Sequence, residues 1–204
     1  MDMDFYQYAT LNINHIDILL ANKYYIRRKL GKGSTSNVYL VEKTENNACQ
    51  DDPEHCVIKI CTQNKYSSLY FNEIKITQQL KQLNVSNKFN LFFQDIIYSS
   101  STGNFLLFKN ELKSIKTLPL IQSKQLIDII QYLYECDVIH RDLDPQSLMF
   151  NTHIQQLKLI DFGFAAKYEM NEMIKLLPIN GTIAFAGHQF LNFISSLSFD
   201  SLKS

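Results

Sequence analysis

Residues 140–163 read HRDLDPQSLMFNTHIQQLKLIDFG, and this stretch decides the fold. It contains two short β-like runs, Leu148–Phe150 and Leu157–Ile160, which are rich in apolar residues and separated by a polar turn. Asp142 lies in the turn before the first run, and Asp161 directly follows the second. The two acids either begin turns or carry chemistry, and the motifs elsewhere in the chain decide between these interpretations.

The rest of the chain predicts a small β-rich part followed by a mainly helical part. Two amphipathic or apolar runs predict helices, one at Ser67–Asn84 and one at about Ile121 to Cys136. Short runs rich in Val, Ile, Tyr and Phe predict strands, and a polar turn at 99–104 predicts a hairpin. These strands are Tyr24–Leu30, Asn37–Val41, Cys56–Cys61, Leu91–Tyr98 and Phe105–Lys109. The pattern is typical of an α+β fold in two lobes.

Composition and charge exclude several classes of protein. The 204 residues are 46% hydrophobic and 20% charged, which excludes a disordered tail or a collagen-like repeat. The chain has 20 Lys+Arg and 20 Asp+Glu, so it lacks the overall positive field that would hold nucleic acid. The first residues are acidic, and no apolar stretch is long enough to span a bilayer. We therefore expect neither a secretory signal nor a membrane partner.

The cysteines indicate a reducing compartment. They stand at positions 49, 56, 61 and 136, a spacing that matches neither a C-x-x-C motif nor a zinc finger. His55 adjoins Cys56, but no second pair of ligands accompanies them, so we expect no zinc site. We expect reduced thiols in a cytoplasmic protein, with a nuclear location as the alternative.

Two features upstream of residue 140 have the chemistry of a phosphate site. Residues 31–38 read GKGSTSNV between two predicted strands. Small residues there let backbone N–H groups approach phosphate oxygens, although an ordinary glycine hairpin has the same composition. Lys59 lies in the apolar run Val57-Ile58-Lys59, a position that is usually an edge or an exposed strand end. Glu73 follows fourteen residues later in a predicted helix, where its carboxylate could pair with the lysine.

The order and spacing of these motifs resemble the eukaryotic protein kinase family. The resemblance runs from residue 24 to the end of the chain and is closest to Ser/Thr kinases, with some similarity to the casein-kinase-like branch. It implies an α+β, two-lobed fold with an extension at 1–23, an N-lobe at 24–112 and a partial C-lobe at 113–204. That partial lobe would end near the central helix of the large lobe.

The resemblance also implies transfer of the γ-phosphoryl group of ATP, with Mg²⁺, to Ser/Thr of a protein substrate. Lys59 would hold the α/β-phosphates and be held by Glu73, Asp142 would accept the proton of the substrate hydroxyl, and Asp161 would bind Mg²⁺. ATP would also contact the glycine-rich turn through Gly31, Lys32, Gly33, Ser34 and Val38. Replacing Lys59 by Met is expected to abolish transfer and, since we expect this lysine to face solvent, to leave the fold intact.

Three positions depart from the family pattern. Ser36 replaces the third glycine of the turn, and Ser147 replaces an asparagine that holds a second metal, so its shorter hydroxyl would be the Mg²⁺ ligand. Asp144 stands where Ser/Thr kinases have a lysine near the transferred phosphate. It either opposes the phosphates, in which case Asp144→Lys raises turnover, or points to solvent. The departures favour an alternative, a nucleotide-binding pseudokinase that acts as a scaffold or regulator; a small-molecule phosphotransferase is a third interpretation.

By resemblance, the residues that follow Asp161-Phe162-Gly163 form the activation segment. Their composition predicts that the domain needs no Ser/Thr phosphorylation there. Positions 164–180 contain no serine or threonine. Phosphate commonly pairs with the arginine of the catalytic loop, and here Glu169 and Glu172 either pair with Arg141 instead or form a solvated loop. By resemblance, Thr182 supports the catalytic loop through its hydroxyl.

The predicted C-lobe is short. The connection from residue 110 to His140 leaves out a helix that kinases usually have there, and Gln189 replaces the glutamate that clamps the lower lobe. The sequence ends at Ser204, at the opening of the central helix. Apolar side chains would then lose part of their packing, so we expect a partner protein or self-association to cover them.

Overall fold

The computed structural model describes residues 23–44, 53–83 and 88–168, which form an antiparallel five-stranded sheet followed by a part with one long helix and two small sheets. The strands are β1 (Tyr24–Lys32), β2 (Ser36–Lys43), β3 (His55–Cys61), β4 (Ile96–Ser99), β5 (Phe105–Phe108), β6 (Lys113–Ser114), β7 (Val138–Ile139), β8 (Leu148–Asn151), β9 (Gln156–Leu159) and β10 (Ala166–Lys167). The helices are α1 (Ser67–Gln82), α2 (Phe89–Phe92) and α3 (Leu120–Glu135), with 3₁₀ turns at Asn64–Tyr66 and Phe162–Phe164. In these ranges no helix is both long and apolar enough to cross a bilayer.

The large sheet has the order β1-β2-β3-β5-β4, and its central strand β3 explains where Lys59 points. Side chains alternate between the faces of a strand. Cys56 and Ile58 therefore join the core on the outer face, whereas Val57 packs on the inner face with Tyr70 of α1. Lys59 shares that inner face, and its ammonium lies 5.4 Å from the centre of the Tyr70 ring.

A second core joins α1 to the lower part of the molecule. Ile76 and Leu80 of α1 pack with apolar side chains from α2, α3, β8 and β9, and Phe162 belongs to the same cluster. Each such side chain contributes roughly 1.5–3 kcal/mol when fully buried. The Tyr132 hydroxyl of α3 donates to Leu80 O at 3.1 Å, which adds a polar tie between the two helices. The position of α1 is therefore fixed from both sides.

The structure corrects one predicted strand and agrees with the other elements. The strand predicted at Leu91–Tyr98 is wrong in its first half, because the helix α2 extends to Phe92 and β4 begins only at Ile96. Phe89, Phe92 and Phe93 are all buried, and this spacing of three and four residues requires a helical turn. Short apolar runs do not distinguish a strand from a buried helical turn. The hairpin at 99–104 is present, with Gly103 at φ +69°, and residues 109–119 contain no helix, as expected for a short connection.

Lys158 of β9 is buried, with 3% of its surface exposed. Its ammonium donates to Asn90 O at 2.6 Å and to Phe93 O at 2.7 Å, so it ties the α2 segment to the strand that leads into Asp161. Burial lowers the pKa of the Lys158 ammonium to about 8.

Because Lys158 is buried, the free energy of unfolding depends on pH in the alkaline range. The folded chain releases the Lys158 proton near pH 8, whereas the unfolded chain keeps it until about pH 10.5. Since the unfolded state binds more protons in that window, the free energy of unfolding contributed by this group rises with pH there. We expect urea denaturation to show that wild type gains stability relative to Lys158→Met between pH 8 and 10.5. A difference between the two proteins that does not change with pH would contradict the burial argument.

Candidate active site

Lys59 lies between two carboxylates contributed by different elements. Its Nζ is 2.7 Å from Glu73 Oε2 of α1 and 2.9 Å from Asp161 Oδ1, which follows β9. The pairing expected between Lys59 and Glu73 is therefore present. The expectation that Lys59 faces solvent is wrong, because only 8% of the residue is exposed and Glu73 is also buried. The inner face of β3 directs this side chain onto α1.

The three charges control one another's protonation. Burial alone would lower the pKa of Lys59, but the carboxylates of Glu73 and Asp161 outweigh it and raise that pKa, so the lysine stays charged. Burial raises the pKa of Glu73, and the attraction of Lys59 offsets this only in part. Burial would also raise the pKa of Asp161, but Lys59 reverses the effect and lowers it. Asp161 is therefore an ionised carboxylate at neutral pH.

The backbone around Asp161 is strained and held by aromatic packing. Asp161 adopts a left-handed conformation, with φ 68° and ψ 66°, immediately before the 3₁₀ turn. Phe162 packs edge-on against Phe93, with ring centres 5.4 Å apart, and against His140 at 5.0 Å. His140 Nε2 donates to Ile160 O at 3.0 Å, because a carbonyl can only accept. These contacts fasten the loop of Asp161 to the segment that carries Asp142.

The predicted catalytic loop runs beside the Asp161 loop. Strands β7 and β10 pair with each other, and Arg141, which has φ 69°, donates to Phe164 O at 3.3 Å. Burial lowers the pKa of His140, and the nearby carboxylates of Asp161, Asp142 and Asp144 oppose that shift. His140 is therefore neutral at pH 7 despite the negative charge around it.

Asp144 and Ser147 form a closed turn. Asp144 Oδ1 accepts the N–H groups of Gln146 at 2.8 Å and Ser147 at 2.9 Å. The Ser147 hydroxyl donates to Asp144 O at 2.8 Å and accepts from Asp144 N at 3.1 Å. The Ser147 hydroxyl is buried and already makes two hydrogen bonds within the turn. It is the same group that the sequence predicts as a ligand of the second metal. Its role as a metal ligand stays a prediction.

The glycine-rich turn joins β1 to β2 close to Lys59. Gly33 N donates to Ser36 O at 2.8 Å, and β2 places Val38 opposite Lys59 in the register of β3. A side chain built at Gly31 would have nothing within 4 Å, so the space beside that backbone is open. Ser34 O and Lys32 border the same turn, and Thr62 Oγ1 donates to Ser34 O at 3.4 Å.

Other predicted site residues lie outside the described residues. Thr182, Glu169, Glu172 and Gln189 belong to this group, so their predicted roles stay predictions. Sequence reasoning missed Asn72 of α1, whose amide nitrogen reaches three carbonyl oxygens of the Asp161 loop. The available signal was a short polar amide directly before Glu73, which the helical pattern alone did not distinguish from a solvated position.

Comparisons with known proteins agree with this arrangement. A family model described as protein kinase domain matches residues 24–191. The serine/threonine-protein kinase chk-1 of Caenorhabditis briggsae is 28% identical over 182 residues, which cover 80% of this chain and 34% of the relative. The chain thus spans about a third of the length of that curated relative. The family model covers most of the chain. The lysine of β3, the glutamate of α1 and the two aspartate motifs are also in place. The chain therefore belongs to the protein kinase family.

Proposed function

We propose that the chain binds Mg-ATP and transfers the γ-phosphoryl group to a Ser or Thr hydroxyl of a protein substrate. The observation that carries this proposal is the ammonium of Lys59, held at once by Glu73 and Asp161. Strand β3, helix α1 and the residues after β9 must all be correctly placed for these contacts to form. Phosphoryl transfer depends mainly on such positioning and on neutralising charge, which this arrangement supports.

The residues fit the cofactors that the family implies. The Asp161 side chain is 46% exposed and ionised, and an oxygen ligand of this kind suits Mg²⁺. The described residues contain no group of three His, Cys, Asp or Glu that would hold a metal alone. That agrees with a Mg²⁺ bound through one or two carboxylates and through phosphates. The open space at Gly31 fits a phosphate chain that approaches backbone N–H groups.

Each side chain then has a defined task. Bound Mg-ATP supplies the transferable phosphoryl group and part of the charge neutralisation. Lys59 orients the α/β-phosphates, Glu73 holds Lys59 against α1, and Asp161 presents an oxygen ligand. Asp142 accepts the proton of the substrate hydroxyl as that oxygen attacks. His140 stays neutral, and its hydrogen bond to Ile160 O ties the segment that carries Asp142 to the segment that carries Asp161.

The second candidate function is that of a nucleotide-binding pseudokinase that acts as a scaffold. It is favoured by the Ser147 hydroxyl, which is engaged by Asp144 and takes the place of the asparagine amide of active family members. Asp144 also adds a negative charge near the catalytic loop. The two candidates differ in whether bound ATP is used.

A thermal-shift titration combined with a phosphorylation assay distinguishes them. ATP with Mg²⁺ at a hundred times its Kd is expected to stabilise the chain by about 2.7 kcal/mol, and ATP without Mg²⁺ by less. Casein serves as a generic Ser/Thr substrate for the assay. Stabilisation with label on casein supports the kinase, and stabilisation without label supports the pseudokinase. No stabilisation by Mg-ATP overturns both.

The charge of Asp144 provides a prediction within this proposal. Asp144→Lys would remove the Oδ1 acceptor that closes the turn, whereas Asp144→Asn keeps that acceptor and removes only the charge. We expect Asp144→Asn to raise the transfer rate about three- to tenfold, because a carboxylate no longer opposes the phosphates. Steady-state kinetics with Mg-ATP measure this. A rate equal to that of wild type would show that Asp144 serves the turn alone.

Partners and location follow from the same proposal. A protein substrate and ATP are the partners, and the cysteine content supports a cytoplasmic or nuclear location. The covering of apolar C-lobe side chains by a partner protein or a second copy stays a prediction.

A further inference from the structure

Asn72 makes an unusual set of contacts with the loop that follows Asp161. Its Nδ2 lies 3.3 Å from Phe162 O, 3.0 Å from Gly163 O and 2.8 Å from Ala165 O. Three carbonyl acceptors identify this atom as the nitrogen of the amide, because only N–H groups donate. The two N–H groups of one side chain thus bind backbone oxygens on both sides of Phe164, whose own carbonyl accepts from Arg141.

The loop has a physical need for this support. Asp161 occupies the left-handed region, which costs a non-glycine residue about 1–2 kcal/mol. The following 3₁₀ turn ends at Phe164, and the last carbonyls of a helical turn have no partner within it. Ala165 N satisfies Phe162 O at 3.1 Å, and the Asn72 amide reaches the carbonyls of Gly163 and Ala165. The amide therefore stabilises the turn that directly follows the left-handed Asp161.

Asn72 also connects this loop to the lysine. Glu73, its neighbour in α1, holds Lys59, and Lys59 holds the Asp161 carboxylate. Two adjacent residues of α1 thus act on Asp161. Glu73 holds the lysine that binds the Asp161 carboxylate, and Asn72 binds the backbone of the loop that follows Asp161. The approach is close, because a Cβ at Gly163 would lie 3.3 Å from Leu69 Cβ of the same helix.

We propose that Asn72 is a positioning residue that couples α1 to the loop of Asp161 and fixes this carboxylate in the geometry that binds Mg²⁺. The coupling of helix and loop follows from the contacts themselves, and the Mg²⁺ part rests on the proposed function.

The first test measures the loop in the chain without nucleotide. Asn72→Leu has nearly the same size but no donor, and Gln78→Leu removes an exposed amide from the same helix as the matched control. We expect amide hydrogen exchange of a peptide spanning 161–166 to become about tenfold faster in Asn72→Leu and to stay unchanged in Gln78→Leu. Peptides from β2 and β3 should exchange as in wild type. Unchanged exchange at 161–166 in Asn72→Leu overturns the proposal.

The second test measures the metal requirement. At saturating ATP, we expect Asn72→Leu to need about tenfold more Mg²⁺ for half-maximal ATP-dependent stabilisation, and Asn72→Gln, which keeps the donor, to recover part of the loss. Faster exchange with an unchanged Mg²⁺ requirement overturns the positioning role. If wild type itself shows no Mg²⁺-dependent binding, the proposed function fails, while the exchange experiment still decides whether Asn72 holds the loop.

Discussion

Replacing Lys59 by methionine is expected to abolish phosphoryl transfer and to destabilise the fold. The ammonium is the group that would orient the phosphates, and losing an electrostatic element of this kind costs about a hundredfold or more in rate. The same ammonium compensates two carboxylates, of which Glu73 is buried. Removing one partner of a buried ion pair costs about 3–5 kcal/mol, so the variant should unfold at clearly lower urea concentrations.

The pH dependence of this variant identifies Glu73 as the cause. Without Lys59, burial and the negative charge of Asp161 act on the Glu73 carboxyl, opposed only by a backbone hydrogen bond from Phe162, and its pKa rises further above the ordinary 4.5. A folded-state pKa above the unfolded value means that the folded chain binds the proton more tightly. The variant should therefore lose stability as pH rises from about 4.5 through the raised pKa of Glu73.

Two further variants control this experiment. Lys59→Met combined with Glu73→Leu removes both charges and should recover much of the lost stability without any activity. Lys75→Met alters an exposed lysine of the same helix and should change neither property. Denaturation followed by circular dichroism and a phosphorylation assay measure the outcome. Full activity in Lys59→Met, or equal stability of Lys59→Met and wild type, would contradict the described pairing.

Replacing Asp161 by asparagine is expected to remove Mg²⁺-dependent function while leaving the fold in place. Asparagine tolerates the left-handed conformation of Asp161 and keeps an oxygen that can accept from Lys59. It lacks the negative charge that a hard cation requires. The transfer rate should fall by about a hundredfold or more.

Binding measurements separate this effect from a general loss of structure. Isothermal titration should show that Asp161→Asn binds ATP equally with and without Mg²⁺, whereas wild type binds more tightly with the metal. Asp128→Asn, an exposed carboxylate of α3, is the matched control and should behave as wild type. An Asp161→Asn variant that retains the Mg²⁺ enhancement would show that another residue holds the metal.

The sequence was sufficient for the α+β fold, and the resemblance to protein kinases implied the pairing at the site. The residues alone showed that Lys59 lies in a predicted strand and Glu73 in a predicted helix, which allowed the pairing but did not require it. The sequence misplaced the exposure of Lys59, because the inner face of β3 depends on which side of the sheet α1 occupies. It also misassigned residues 91–95, because Phe89, Phe92 and Phe93 fit either a strand or a helical turn.

Local polar contacts were beyond sequence reasoning. Asp144 and Ser147 satisfy each other across a turn of four residues, and either side chain alone is equally compatible with a metal site or with solvent. Asn72 and Lys158 bond to backbone carbonyls that are distant in the chain. Backbone carbonyls are present at every position, so the sequence holds no mark of which ones a side chain reaches.

The most direct test of the proposed kinase activity is transfer of labelled γ-phosphoryl from Mg-ATP to a library of Ser/Thr peptides, measured side by side for wild type and Asp142→Asn. Wild type is expected to label Ser or Thr. Asp142→Asn, which cannot accept the hydroxyl proton, should label them at least about a hundredfold more slowly. Wild type that binds Mg-ATP without labelling any peptide, or equal labelling by both proteins, would contradict the account.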